Sequence, residues 1–353
     1  MLSRLQLVRN YTVSAVDKPG KLSTLVVKVH AGSRYSPKDG VSHLLNRFNF
    51  QTTNAKSSLR LVRESELLGG TVESVVCREF ITLKATFLKE QLPYFVETLG
   101  NVLYKTSFKP HELVESVLPA ANYDLAQASR DPIWNANDLL FQVTYHNDGL
   151  SRPILYDGVE NVTLEDIKAF ANKVYTRDNF DIIGTGINEA DLKRFISDSL
   201  INTLPAGQSL KPTVQPKASL DGETRLRAHG PSVAAIGIPI ADKSTIPTYQ
   251  VLATYLNSAL FPYSVRAQVG LFDNSYGLFK LFIQNDDATV VTKEVKEIVS
   301  KLKGGVDISS GVALTKLESP ELENIDKIKN FKLDKFNFVA LGDVSNLPFK
   351  SDL

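Results

Sequence analysis

The sequence predicts an α+β fold of two similar domains in which amphipathic helices lie against β-sheets. An alternating run rich in β-branched residues, 21–30, predicts a strand, and the amphipathic stretch that begins near Gly40 predicts a helix after it. The second half of the chain repeats this order in weakened form. Between the halves, residues 204–216 are rich in proline and poor in large apolar residues, which is typical of a linker.

Periodicity and turn residues predict the elements of the first half. Gly69 and Gly70 end a short helix. Pro119 removes an amide donor inside a helical stretch, so we expect a kink or an early break there. Thr163 to Asp166 form a capping box ahead of an apolar stripe. The predicted elements are strands at 21–30, 71–76, 80–88 and 179–186, and helices from 40, at 59–68, 93–104 and 111–127, from 163, and at 189–200.

Three segments of the second half match segments of the first in the same order. Chance could supply one such match, whereas three in order indicate duplicated domains. The matches are 233–261 with the strand, loop and helix that begin at 25, then 276–302 with 80–104, and 337–343 with 179–185.

Composition indicates an ordinary globular protein. Apolar residues make up 43% and charged residues 22% of the chain, and the formal net charge is +1. That charge argues against a nucleic-acid surface, because such surfaces are basic. No apolar run reaches the ~18 residues of a membrane span. Cys77 is the single cysteine, which excludes an internal disulfide and fits a reducing or matrix-type compartment.

The first sixteen residues have the composition of a mitochondrial presequence. They contain Arg4 and Arg9, and the first acidic side chain in the chain is that of Asp17. The alternative is an ordinary terminus without a targeting role. The expected organisation is a presequence at 1–16, a first domain at 17–203, a linker at 204–216 and a second domain at 217–353.

Four groups of residues form a recognisable pattern. They are Gly32–Arg34 with Gly40 and His43; Leu67–Thr71 with Arg78 and Glu79; Thr163–Asp166 with Phe170; and the paired segments 179–185 and 337–343. Together they resemble the M16 family of pitrilysin-like zinc peptidases, which includes the subunits of the mitochondrial processing peptidase and the core proteins of the cytochrome bc1 complex. The resemblance implies two M16 (LuxS/MPP-like metallohydrolase) domains, each a mixed sheet with helices on one face. Within the family, residues 41–50 and 342–348 look most like fungal core proteins.

The most informative segment is His43-Leu-Leu-Asn46-Arg47. Active members of the family carry His-x-x-Glu-His there, where both histidines bind zinc and the glutamate is the general base. A catalytic zinc needs three protein ligands and an open position for water. Arg47 stays protonated and cannot be a ligand, and Asn46 cannot take a proton from water. His43 is therefore expected to be an ordinary, hydrogen-bonded histidine.

The third zinc ligand of active members is a glutamate on a later helix, which the resemblance places near Tyr123. No glutamate occurs between residues 116 and 159. Asp124 is one residue away and shorter, so we expect it to be a solvated carboxylate. We expect no catalytic, metal-binding or cofactor-binding residue in this chain. The degenerate positions are His43, Asn46, Arg47 and Tyr123.

The remaining candidates have ordinary interpretations. Cys77 lacks the Cys and His companions of a thiol enzyme, and no other histidine has a partner at metal-binding spacing. Arg78 and Glu79 predict a turn. The family has a similar pair near its active cleft, which leaves a conformational role open for them.

The resemblance implies a non-catalytic core subunit of respiratory complex III that is needed for assembly and stability and carries no redox centre. Its partners would be core protein 1, membrane subunits including cytochrome b, and its own copy in the dimeric complex, with no nucleic acid. It would be peripheral on the matrix side of the mitochondrial inner membrane, without a transmembrane helix.

Two alternatives stay open. The first is an active zinc peptidase, alone or completed by a partner. The second is the non-catalytic subunit of the processing peptidase, whose glycine-rich loop holds presequences. Residues 260–276 contain a single glycine, Gly270, which favours the core protein.

Overall fold

The computed structural model describes residues 11–212, 214–272, 275–319 and 325–353. The described chain divides into two compact units, and the second takes one segment from the first half of the sequence. Residues up to 125 and residues 152–211 form the first unit, and residues 126–151 with 212–353 form the second.

Strands and helices follow each other in the order that the sequence predicts, with additions in both halves. Up to the linker they are β1 (Thr12–Val16), β2 (Leu22–Val29), α1 (Val41–Phe48), α2 (Ser58–Leu67), β3 (Thr71–Val76), β4 (Ile81–Leu88), α3 (Leu92–Lys105), α4 (Pro110–Glu112), α5 (Leu118–Ala128), α6 (Pro132–Thr144), α7 (Leu164–Val174), β5 (Phe180–Thr185) and α8 (Glu189–Asp198). After it they are β6 (Glu223–Arg227), β7 (Ser232–Ile240), α9 (Ile246–Asn257), β8 (Val265–Phe272), β9 (Tyr276–Asn285), α10 (Ala288–Gly304), β10 (Val306–Asp307), α11 (Ser309–Glu318), β11 (Asn330–Phe331) and β12 (Asn337–Gly342).

The first unit contains a mixed five-stranded sheet in the order β1-β5-β2-β4-β3. Only β1 and β5 run parallel within it. Along β2 every second residue is buried, including Leu25, Val27 and Val29, because successive side chains of a strand point to opposite faces. These residues share one apolar core with residues of α1, α3 and α7. The predicted α+β class is confirmed.

Residues Thr12–Val16, expected from sequence to belong to a presequence, form the edge strand β1. Thr12 lies opposite Asp181 and Val16 opposite Thr185 in parallel register. The ring of Tyr11 stacks on that of Phe180, with centroids 5.1 Å apart. Cleavage after residue 16 would remove this strand. Residues 1–10 lie outside the described part of the chain.

The second unit repeats the first sheet. Its order is β6-β12-β7-β9-β8, and only β6 and β12 are parallel. Each strand has a counterpart at the same place in the first sheet, with β6 matching β1 and β12 matching β5. The shared order and the shared parallel pair confirm the duplication that the sequence predicts.

Helix α6 was not predicted, and it belongs to the second unit although it precedes the linker. The carboxylate of Asp131 accepts hydrogen bonds from two amides of its first turn, and Pro132 opens the helix. Leu140 and Phe141 share an apolar cluster with Val233 of β7. The alternate residues of β7 belong to the other core, with α9 and α10. In this unit, therefore, the sheet is covered on both faces.

Pro119 does not break its helix, and a break was one of the two outcomes expected there. Helix α4, a π-helical turn at Leu113–Val117 and α5 follow one another without interruption. The amide of Leu118 donates to the carbonyl of Leu113, five residues back. This wider turn accommodates a proline that has no N–H to donate, so the helix continues to Ala128.

Candidate functional site

Helix α1 carries three of the four degenerate positions. Its N-cap is Gly40, with φ of +82°, and a Cβ there would lie 2.6 Å from the ring of Tyr156. Glycine is therefore required by both the conformation and the close approach. One face of the helix buries Leu44, Leu45 and Phe48 in the core of the first unit. This packing fixes the direction in which the polar residues of α1 project.

His43 is buried, with 1% of its surface exposed, and both ring nitrogens are engaged. Nδ1 accepts a hydrogen bond from the backbone amide of Tyr156 at 3.1 Å, and Nε2 lies 2.9 Å from Oδ2 of Asp124. Because an amide can only donate, Nδ1 must be the acceptor, and Nε2 carries the proton that it donates to Asp124. Burial lowers the pKa of His43, against the opposing effect of Asp124. The neutral imidazole fits both contacts.

Asp124 is not a solvated carboxylate, contrary to the expectation from sequence. The guanidinium of Arg47 binds both of its oxygens: Nε lies 2.5 Å from Oδ2, and Nη2 donates to Oδ1. The side chain of Asp124 is 19% exposed. Tyr123, near which the family resemblance placed the third zinc ligand, is 64% exposed. The residue that meets His43 is therefore Asp124.

Asn46, which stands where a general base would be, is part of a hydrogen-bond network with β3. Its Nδ2 donates to the carbonyl of Ser74 at 3.3 Å, and its Oδ1 accepts from the Ser74 hydroxyl at 2.6 Å. Asn49 donates to the same hydroxyl at 2.9 Å. The hydroxyl of Tyr175 donates to Asn49 at 2.7 Å, and burial raises its pKa. These side chains join α1 to β3 and to the end of α7.

A zinc ion does not fit this set of side chains. Zinc needs nitrogen lone pairs or free carboxylate oxygens. The two nitrogens of His43 are committed to Tyr156 and Asp124, and the oxygens of Asp124 are bound by a cation, Arg47. In the described part of the chain, no three His, Cys, Asp or Glu side chains come together as a metal site would need.

The loop before α1 is joined to the turn that contains Arg78 and Glu79. Gly32 donates its amide to the carbonyl of Glu79 at 3.1 Å, and Arg34 donates to that of Arg78 at 2.9 Å. Nη1 of Arg34 also lies 3.4 Å from Oε1 of Glu79, and all these side chains are largely buried. A Cβ on Gly32 would lie 2.3 Å from the Arg78 carbonyl oxygen. Arg78 and Glu79 thus belong to a buried contact that holds the loop before α1 in place. The sequence predicts the turn and leaves a conformational role open for the pair, and the burial of the contact could not be read from it.

The other sequence candidates are on other elements. His111 is on α4, His146 follows α6, and His229 lies between β6 and β7; all three are exposed. Cys77 is exposed in the β3–β4 turn. Among the described helices, none combines the length and the apolar character that crossing a bilayer requires.

Comparison with known families gives two matches that divide the chain. Residues 11–158 match the family described as "Insulinase (Peptidase family M16)", and residues 161–307 match "Peptidase M16 inactive domain". The first match begins at Tyr11, one residue before the first strand of the sheet. The resemblance drawn from the sequence is confirmed.

Similar proteins agree with the family matches. The chain is 55% identical to "Cytochrome b-c1 complex subunit 2, mitochondrial" of Saccharomyces cerevisiae, over 98% of this chain and 96% of the relative. It is 40% identical to the protein of the same name from Debaryomyces hansenii, over the full length of both. Among solved structures, the peptidase M16 inactive domain from Pseudomonas fluorescens shares the fold, with a TM-score of 0.78, 16% identity, and coverage of 95% of this chain and 96% of that one. The chain belongs to the M16 peptidase family, in the branch that contains subunit 2 of the mitochondrial cytochrome b-c1 complex.

Proposed function

We propose that this chain is core protein 2 of mitochondrial complex III, a non-catalytic subunit needed for assembly and stability of the ubiquinol–cytochrome c oxidoreductase. The observation that carries the proposal is 55% identity, along nearly the whole chain, to the yeast protein named "Cytochrome b-c1 complex subunit 2, mitochondrial". The site geometry supports the non-catalytic part. His43, Arg47 and Asp124 satisfy one another, and a metal-bound water would find no general base at Asn46.

The partners we propose are core protein 1, membrane subunits of complex III including cytochrome b, and the second copy in the dimeric complex. The proposed location is the matrix side of the inner membrane, as a peripheral subunit. Arg4 and Arg9 support import by a leader, and the strand at Thr12–Val16 supports a cleavage site before Tyr11.

Deletion of the gene and complementation in the same cells test the assembly role. We expect deletion to remove assembled complex III from native gels and to lower the cytochrome b absorbance of mitochondria, and the wild-type chain to restore both. Accumulation of uncleaved precursors with complex III intact would contradict the proposal and favour a processing subunit. Core protein 1 and cytochrome b should co-purify with a tagged chain.

Location and catalysis are tested separately. In mitoplasts the tagged chain should resist added protease until the inner membrane is permeabilised, and carbonate should extract it; digestion without permeabilisation would contradict the matrix-side placement. Purified complex III should hold no zinc attributable to this chain. Stoichiometric zinc and peptidase turnover that are both lost in His43→Ala would overturn the non-catalytic assignment.

A further inference from the structure

We infer that Arg47 takes the place of a metal ion in this chain: its guanidinium, with His43 and Asp124, forms a clamp that fastens α1 to α5 and is closed to divalent cations. The clamp denotes these three side chains. It does not depend on the proposed function, because it concerns only how the first unit is held together.

The three side chains of the clamp meet in a specific geometry. His43 and Arg47 are one helical turn apart and meet the same carboxylate. Arg47 reaches it with two nitrogens, Nε at 2.5 Å from Oδ2 and Nη2 at Oδ1. The planar fork of a guanidinium matches a carboxylate in this way, whereas the single ammonium of lysine does not.

The charges of the clamp balance without a metal. One guanidinium faces one carboxylate, and the imidazole is neutral because Nδ1 accepts the amide of Tyr156. Side-chain exposure is 2% for His43, 19% for Asp124 and 39% for Arg47, so the carboxylate is largely shielded from water on the side of α1. A dication would have to displace a positive group from its only described carboxylate partner.

Helix α5 has few apolar contacts of its own, so the clamp contributes to holding it in place. Within this helix Ala121 is the residue that is fully buried and Leu118 is partly buried against the same core, so the helix has a small apolar contact area. The π-helical turn before it adds another irregular element. Helix α1, by contrast, is well packed through Leu44, Leu45 and Phe48. The clamp therefore ties a weakly packed helix to a firmly packed one.

A double-mutant cycle on the full-length chain tests the fastening. The variants are Arg47→Met, Asp124→Asn and both together, and the readout is amide exchange in α5 with the midpoint of thermal unfolding. Because a partly buried charge is left unpaired, we expect either single change to speed exchange in α5 by about tenfold or more. We expect the double variant to change exchange by clearly less than the product of the single effects.

The exposed pair Lys84 and Glu73, 2.6 Å apart with side chains 45% and 53% exposed, is the matched control. The cycle of Lys84→Met and Glu73→Gln should show additive effects, because exposed pairs contribute little. Additive effects at Arg47 and Asp124 as well would overturn the clamp.

Zinc binding to full-length variants tests whether the clamp excludes divalent cations. With zinc alone as the probe, we expect no stoichiometric binding to the wild-type chain and about one zinc per chain for Arg47→His. Loss of the guanidinium frees the oxygens of Asp124, and the introduced imidazole adds a nitrogen ligand. His43 becomes the third ligand through Nε2 when its ring proton moves to Nδ1, which gives up the hydrogen bond from the Tyr156 amide. The added zinc should be lost in Arg47→His/Asp124→Asn and should not occur in Arg47→Met. One zinc bound by the wild type and lost in His43→Ala, or a folded Arg47→His chain that takes up none, would overturn the inference.

Discussion

The hydroxyl of Tyr175 donates a hydrogen bond to Oδ1 of Asn49 at 2.7 Å, and both residues are buried. Through Asn49 this bond reaches Ser74 and Asn46, so α1 is linked to β3 and to the end of α7. These buried polar groups favour a single arrangement of α1, β3 and α7, because moving any one of them would leave its hydrogen-bond partner unsatisfied.

Replacement of Tyr175 by phenylalanine should destabilise the first unit. Asn49 would keep a buried carbonyl oxygen without its donor, at a cost of about 1–3 kcal/mol. The measurement is the midpoint of chemical denaturation of the full-length chain. Tyr104→Phe is the control, since that ring is 43% exposed and should matter little. Equal midpoints for the two variants would contradict the role of the network.

The carboxylate of Asp166 should make stability depend on pH in the acid range. The hydrogen bond from Lys38 and the backbone amide of Thr163 lower its pKa from 3.8 to about 2. Because the folded-state pKa lies below the unfolded value, the stabilisation is fully present above pH ~4 and is lost as pH falls through ~2. Wild type and Asp166→Ala should differ in unfolding temperature at pH 6 and converge toward pH 2.

Glu165→Ala, in the same helical turn, is the control for Asp166, because no capping contact involves Glu165. Its unfolding temperature should stay close to that of the wild type from pH 6 to pH 2. A constant difference between wild type and Asp166→Ala from pH 6 to pH 2 would show that the ionised carboxylate is not what stabilises the cap.

Gly32→Ala should disrupt the contact between the loop before α1 and the β3–β4 turn. The new Cβ would meet the carbonyl oxygen of Arg78 at 2.3 Å, and backbone atoms on both sides would have to move, at about 1–3 kcal/mol. Gly304→Ala is the matched control, because among the described residues no atom beyond its own helical backbone and chain neighbours lies within 4 Å of its Cβ position. We expect thermal unfolding of Gly32→Ala at a lower temperature; equal stability of the two variants would contradict this.

Leu140→Ala should weaken the second unit, although residue 140 lies in the first half of the sequence. Leu140 is fully buried against the second sheet, and its truncation should cost about 2–5 kcal/mol. Amide exchange should accelerate in β7 and β12 and stay unchanged in β2 and β4. Leu139→Ala, at a half-buried position, should have a smaller effect. Acceleration in β2 and β4 instead would contradict the assignment of α6.

Local patterns were sufficient for most elements of the fold. The strand at Leu22–Val29, the capping box at Thr163 and helix α10 are each determined by periodicity or capping residues within one short window. Helix α6 was missed although Asp131 and Pro132 signal its start, because its apolar residues face a sheet formed much later in the chain.

The candidate site was predicted in part. The sequence indicates that Asn46 and Arg47 have the wrong chemistry for zinc catalysis, since that follows from residue type alone. The pairing of Asp124 with His43 could not be predicted by counting residues. A π-helical turn inserts an extra residue before α5, which rotates all later side chains by about 100° around the helix axis.

Helix α6 has a consequence for synthesis of the chain. It leaves the ribosome well before β7, which begins at Ser232 and packs against it. The apolar face of α6 is therefore exposed until that part of the chain has been synthesised. During that time α6 would be a binding segment for a chaperone that recognises nascent apolar chains. For the same reason a split at the linker would give two fragments of which neither holds a whole second unit, and co-expressed halves should associate through α6.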